Sequence, residues 1–499
     1  MTLWLPASAL LVTAVAGGLV AVAYRHALRD QWTFAALAIG AAALVIRVYA
    51  AGDFALHPWD ERYHALVAKN LIRTPLVPVL YADPALPYDY RDWTGNHVWL
   101  HKPPLALWLQ AASMRLFGVA EIPMRLPSVL LSTASVLMTY GIGRALFSPA
   151  VGLVAAVFHA FNGFLVDLAA GRRASDHVDT LLITIFEAGI LAGLIAVKRR
   201  PSLAGVALGL ACGLGYLAKS FPALLLLPMW AAVRQPYLPP RALIRDVAAA
   251  MAVGVVVAAP WAIYCATVFP REWAHESVYA WHHVTSVVEN QGGPPWQYLA
   301  DMPRYFGELI YVPLIAATAS VVMGTSGPAR RAMLAWIAVP YVAFSLMATK
   351  MPAYVAVAAP AMFLLQSEFW LWLNARRVSE RGMRRSLLTA AVVIFALLPA
   401  RHLLSPTGPL EARDRNPQWS RDLRRLTESI GASRAVVFNV PLPIEAMFYT
   451  PYVAYGGLPT GAQVRLLHDD GYRVFVYEAG TSERPVAVRE VLSSSDGAR

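Results

Sequence analysis

The sequence predicts a polytopic, all-α membrane protein of about twelve transmembrane helices, followed by a small α/β domain at its carboxy end. Three observations carry that prediction. Of 499 residues, 57% are hydrophobic and only 15% are charged, where a soluble domain carries about a quarter charged residues. The apolar residues gather into runs long enough to span a bilayer, near 3–23, 33–51, 126–147, 150–170, 178–197, 202–218, 220–233, 246–266, 305–324, 332–348, 353–373 and 386–403. Beyond 404 the runs stop: 405–430 is polar and Arg-rich, and 434–440 and 472–477 read as short buried strands.

Taken in order, the run at 3–23 lacks a basic start and is too long for the apolar core of a signal peptide, so it reads as a retained first helix. The run at 220–233 is short and flanked by proline. Arg25 and Arg29, Arg144, Lys198-Arg199-Arg200, Arg234 to Arg245, Arg330-Arg331 and Arg376 to Arg385 fall on alternate connections, which marks that face as cytoplasmic. Both termini then lie outside, with the loops 52–125, 171–177 and 267–303, giving a membrane domain over 1–404 and a soluble extracytoplasmic domain over 405–499. The last dozen residues are expected to be disordered. The net charge of +11 is spread in short clusters between apolar runs, a pattern that orients helices and argues against nucleic-acid binding. Cys212 and Cys265 lie in apolar segments with no disulfide or metal-ligand spacing.

Several charges depart from the orientation rule. Lys69, Lys102, Lys219 and Lys350 all fall on the outer side, where positive charge is disfavoured. Singly, each is explained by snorkelling to the headgroups; with Arg125, Arg172 and Arg173 at neighbouring helix ends, a shared phosphate site accounts for the set better. The acids are paired. Asp60 and Glu61 are adjacent, so on a helix their side chains diverge by about 100° and cannot readily share a proton. One is then catalytic and the other structural, although Asp60 also stands where a residue would cap the helix that follows. Asp176 and Asp179 form a second pair, with Asp179 readable as a cap or a partner of Arg173. The third outer loop holds Trp273, His275, Glu276, Trp281, His282, His283 and Glu289; the two adjacent histidines lack the spacing that aims two imidazoles at one metal. Its tryptophans suit a membrane interface or a sugar face.

These residues carry a family resemblance. Asp60-Glu61-Arg62-Tyr63-His64-Ala65-Leu66-Val67-Ala68-Lys69-Asn70-Leu71, then Lys102-Pro103-Pro104-Leu105 with Trp108, then Phe117-Gly118 and Arg125-Leu126-Pro127-Ser128, resemble in order and spacing the amino-terminal half of the ArnT-like, protein O-mannosyltransferase-related glycosyltransferases of the GT-C class. Asp179 with Arg173, Ala218-Lys219, Pro294-Pro295-Trp296-Gln297-Tyr298 and Lys350-Met351-Pro352-Ala353-Tyr354 extend it more weakly to about residue 365.

The resemblance implies a GT-C fold, a polyprenyl-phosphate sugar donor, and an acceptor (lipid, glycan or protein) reached from outside the plasma membrane. By position Asp60 corresponds to the family's catalytic carboxylate, Lys102 to the lysine that meets the donor phosphate, and Tyr354 to the tyrosine of the later phosphate motif. Asp179 matches the second acidic residue, with Asp176 a competitor. Where relatives often carry an acid before the lysine, this chain has His101.

The resulting expectation is inverting transfer with Asp60 as base, Glu61 and Asp179 as further acids, and His101, Lys102, Tyr63, Arg173, Asp176, Lys219, His283, Lys350 and Tyr354 on the substrates. No cofactor is required, although carboxylates would accept a divalent cation. The alternatives are a polytopic transporter of an anionic lipid or glycan, a donor-synthesising enzyme at the inner face, and a tail-borne binding module anchored by the helices.

Overall fold

The structure, a computed structural model, describes residues 6–234, 239–431, 434–478 and 487–492. It resolves into two compact units: Met1–Ala51 with Arg125–Pro270 and Ser277–Arg413, and Gly52–Met124 with Arg271–Glu276 and Asp414–Arg499. Compactness therefore groups residues 52–124 with the tail, a pairing that a division at 404 does not express.

The first unit is helical. Among the described residues, eight helices are long and apolar enough to cross a membrane, and ten if each of two bent pairs is one span. This is an integral membrane protein. Two of the twelve runs fall short for physical reasons. Phe221–Leu225 is a 3-10 turn and only the nine residues Leu226–Arg234 follow as α-helix. Pro328–Leu346 has Arg330 near its start, held bidentately by Glu368 at 3.0 and 2.6 Å. The first bent pair, Pro149–Ala160 with Gly163–Ala169, turns by 61°. There Asn162 caps the second helix through Leu165 N at 3.1 Å, and Gly163 lies so close to the Leu403 backbone that a Cβ would stand 2.6 Å from its nitrogen.

Small residues let the spans approach closely. Gly205, Gly209 and Gly213 form one stripe on the Ala204–Lys219 helix against Pro240–Val268; a Cβ added at them would come within 2.7 Å of Asp246 O, 2.6 Å of Val253 Cβ and 2.4 Å of Val257 Cβ. Deeper in the bundle lies a fully buried polar cluster. Glu187 accepts from Ser135 at 2.5 Å and Thr139 at 2.7 Å, Thr139 meets His159 Nδ1 at 2.8 Å, and Arg47 donates to Ser132 at 2.7 Å and to the Ala160 carbonyl at 3.2 Å. Four helices are thereby pinned to one another in a medium that offers no water.

The second unit carries a four-stranded sheet, β1 (Ala435–Phe438), β2 (Val453–Ala454), β3 (Arg473–Glu478) and β4 (Ala487–Glu490), in the order β2-β1-β3-β4. β1 is parallel to both neighbours, with Val436 opposite Val453 and Val474, and β4 is antiparallel to β3. The strands read from the sequence are β1 and β3; of the last dozen residues, expected to be disordered, 488–490 instead belong to β4, paired with β3, and those from 493 on lie outside the described residues. The Gln418–Ile430 helix turns Leu423, Leu426 and Ile430 inward, and they share one core with Leu66, Leu71, Trp99, Leu107, Phe448 and Phe475. The segment 52–124 and the tail thus contribute about equally to one core.

Close helix contact gives a direct expectation. Gly209→Leu should lower the apparent stability in detergent by about 1–3 kcal/mol through overpacking, while Gly17→Leu, where a side chain meets nothing within 4 Å, should leave the melting temperature unchanged.

Candidate functional site

The predicted site residues fall into both units, and each set has its own geometry. In the second unit, Asp60 is the first residue of the Asp60–Leu71 helix, and the residue in the cap position is Trp59, which makes no side-chain cap bond. Asp60 is therefore not the cap. It is half-buried, whereas Glu61 is fully buried. Glu61 accepts the His57 backbone N–H at 2.5 Å and faces the His57 ring nitrogen Nδ1 at 2.9 Å; the other ring nitrogen meets Asp53 at 2.9 Å, and Arg415 holds Asp53 at 2.9 Å. Glu61 is a holding group in this arrangement. Buried Tyr63 packs edge-on against Trp93 at 4.9 Å with the Arg62 guanidinium 4.9 Å from its ring centroid.

His101 lies flat on Trp93, with centroids 4.4 Å apart and planes 6° from parallel, and its Nδ1 is 3.3 Å from the Glu276 carboxylate. Burial, reinforced by adjacent Lys102, lowers its pKa below the ordinary 6.5, so the ring is neutral at neutral pH. Lys102 is half-buried, and among the described residues it makes no hydrogen bond or ion pair. Pro103 and Pro104 then fix the start of the Pro104–Phe117 helix just beyond it.

The first unit brings four predicted residues from distant segments into one chain of contacts. Lys219 forms an ion pair with Asp179, whose side chain is 2% exposed. The same ammonium stands 4.9 Å from the centroid of the Tyr354 ring, and the Tyr354 hydroxyl is 3.0 Å from His283 Nδ1. Asp176 begins the Asp176–Arg199 helix, fully buried, with Asp179 also in its first turn, where the helix dipole favours acids.

Arg173 and Lys350 are engaged elsewhere. Arg173 binds Asp167 at 3.2 and 3.1 Å and His402 at 3.1 Å. Lys350 donates to the carbonyls of Phe344 at 3.4 Å, Ser345 at 3.1 Å and Met347, the end of the Pro328–Leu346 helix, and burial lowers its pKa. Sequence reasoning missed Asp167, which also pairs with Arg172 at 3.2 Å, and His402. The available signal was an acid at the end of an apolar run just ahead of Arg172-Arg173.

Backbone strain marks the same places. Among the described residues seven non-glycine residues have positive φ, and three of them, Trp59 (71°), Ser175 (65°) and Ser220 (56°), adjoin Asp60, Asp176 and Lys219. With ψ of −133° and −134°, Trp59 and Ser220 hold a conformation that ordinarily calls for glycine. Among the described residues no group of three or more His, Cys, Asp or Glu could hold a metal ion.

Two consequences are measurable. Lys219→Met removes the cation from a buried carboxylate and should cost about 3 kcal/mol; adding Asp179→Asn should recover part of it, with a coupling of about 1–3 kcal/mol in a double-mutant cycle. The depressed pKa of His101 means that the unfolded chain takes up its proton first as pH falls. Its contribution is complete above about pH 6.5 and is lost as pH falls through the lower folded value. Thermal unfolding on acidification should therefore fall less steeply for His101→Phe than for wild type.

Comparison with known proteins places this geometry. Residues 101–264 match the dolichyl-phosphate-mannose-protein mannosyltransferase family. The undecaprenyl phosphate-alpha-4-amino-4-deoxy-L-arabinose arabinosyl transferase of Pseudomonas paraeruginosa is 28% identical over 341 residues, 62% of this chain and 58% of that one. The enzyme of that name from Edwardsiella ictaluri is 25% identical over 282 residues, covering 53% and 49%. The chain thus spans about half the length of the curated relatives it matches. In fold it is similar to ArnT from Cupriavidus metallidurans in the apo state, with a TM-score of 0.64 at 14% identity over 93% of this chain and 99% of that one. The Archaeoglobus fulgidus oligosaccharyltransferase follows at 0.57 and 14% identity, covering 89% and 69%. By sequence over part of its length and by fold over nearly all of it, the chain is similar to ArnT: it is a mostly helical membrane protein with an ArnT-like GT-C fold and a small mixed sheet.

Proposed function

We propose that this protein is a membrane glycosyltransferase that moves a sugar from a polyprenyl-phosphate donor to an acceptor hydroxyl at the outer face of the plasma membrane, with inversion at the anomeric carbon. Support comes from the relatives, named for undecaprenyl-phosphate and dolichyl-phosphate sugars, and from the arginine clusters on alternate connections. The observation that carries the reading is the division of labour between neighbouring acids: Glu61 is buried against His57, while half-buried Asp60 follows a strained Trp59.

In the proposed reaction the acceptor oxygen attacks C1 as the bond from C1 to the phosphate oxygen breaks. The acceptor proton passes to Asp60, and the electron pair leaves on polyprenyl phosphate. Lys102, in the same unit as Asp60 and with no hydrogen bond or ion pair of its own among the described residues, is the cation suited to the growing phosphate charge. Tyr63 and His101 both pack on Trp93 and hold that ring in place. His283 orients the Tyr354 hydroxyl. Arg173, Asp176 and Lys350 support the surrounding backbone. Transport of an anionic lipid or glycan is the second reading, since Arg47 and Glu187 are buried inside the bundle; their bonds to Ser132, Ser135 and Thr139 suit a fixed brace better.

The test is release of polyprenyl phosphate from radiolabelled polyprenyl-phosphate sugars by purified protein. Asp60→Asn should lower turnover by roughly 10²–10⁴ and Lys102→Met by roughly 10²–10³, the latter with unchanged melting temperature, whereas Glu61→Gln should act first on stability. Full turnover in Asp60→Asn would remove the assignment, and no turnover with any donor would favour transport.

A further inference from the structure

A cavity of about 370 Å³ in the second unit, lined by Lys69, Arg73, Glu121, Arg424 and Tyr449, has no part in the chemistry above. Its charges do not balance. Glu121 is buried and already neutralised: it binds Arg424 and accepts from the Tyr449 hydroxyl at 2.7 Å. Lys69 donates to the carbonyls of Met447 at 2.6 Å, Phe448 at 2.9 Å and Thr450 at 2.9 Å, which satisfies its three protons but leaves its full charge. Arg73 is exposed, and among the described residues its side chain makes no hydrogen bond or ion pair. Lys69 and Arg73 are four residues apart and repel each other: burial and Arg73 together lower the Lys69 pKa to about 8. The cavity wall thus carries two cations without a carboxylate partner, and an anion there would relieve both.

Position along the chain indicates what kind of anion. Glu121 opens the 26-residue apolar helix Glu121–Leu146, so the cavity lies where a spanning helix meets the headgroup layer. The residues just before and after that point are apolar and exposed: Leu116 (76%), Phe117 (64%), Val119 and Ile122. Such a rim sinks into the acyl boundary and sets the basic cavity at phosphate depth. We propose that this cavity is a binding site for the phosphate headgroup of an anionic membrane phospholipid, with Arg73 as its direct ligand and Lys69 as the fixed charge behind it. The proposal is independent of the glycosyl-transfer reading.

The experiment uses the purified full chain in detergent, following thermal unfolding and lipid adducts by native mass spectrometry during titration with phosphatidylglycerol, phosphatidylcholine of the same acyl chains, or sn-glycerol 3-phosphate. Wild type should be stabilised saturably by phosphatidylglycerol, with little effect of the other two. Arg73→Glu should keep the basal melting temperature, since the side chain makes no bond to lose, and should require at least about tenfold more phosphatidylglycerol. Arg73→Gln should shift the same way by less. Arg241→Glu, on a basic connection elsewhere, should titrate like wild type. Equal response of Arg73→Glu and wild type, equal loss in Arg73→Glu and Arg241→Glu, or equal stabilisation by phosphatidylcholine would overturn the site. Equal stabilisation by glycerol phosphate would overturn the lipid as its occupant.

Discussion

A charge in a chain this apolar must be paired where it is buried or left at the surface where it can react, and the rest of the structure depends on how that constraint is met. Glu61 shows the first outcome. Its carboxylate takes both the backbone and the ring of His57, whose far nitrogen reaches Asp53 and, through it, Arg415. This relay ties the entry of the Asp60–Leu71 helix to the tail. Asp179 is likewise secured by Lys219, and Asp167 by Arg172 and Arg173. Asp60, next to Glu61 in the chain, is half-buried.

The backbone supports the same conclusion from a different direction. A tryptophan and a serine held where glycine is the ordinary choice cost of order 1–3 kcal/mol each. Trp59 and Ser220 bear that cost next to Asp60 and Lys219. Local strain of this kind persists only where the surrounding packing over-determines it. In the second unit that packing comes from the core shared by 52–124 and the tail.

Much of the fold was legible in the sequence, because run length reports directly on the bilayer. What the sequence did not show is physical and specific. Leu226–Arg234 is too short to span because a 3-10 turn consumes the residues before it, and hydropathy alone does not see that turn. Glu187 and Asp167 were hidden inside apolar runs, where a single acid hardly changes the average. Residue types and order pointed to Asp60 and Lys102 in one unit and to Asp179, Lys219 and Tyr354 in the other. Only coordinates show that Lys350 closes a helix end and that Arg173 serves Asp167. The sequence shows only that Asp60 and Glu61 diverge by about 100° on a helix; that Glu61 is bound by His57 is seen only in the coordinates, and no motif singled out His57.

One reacting carboxylate allows a single displacement, whereas two would permit a covalent intermediate. The most direct test of the account is therefore the anomeric configuration of the transferred sugar, read by NMR on the product and compared with that of the donor. With Glu61 committed to His57 and Asp60 acting alone, the configuration should be inverted. Retention would require a second reacting group and would contradict the assignment of Asp60 as base for direct displacement.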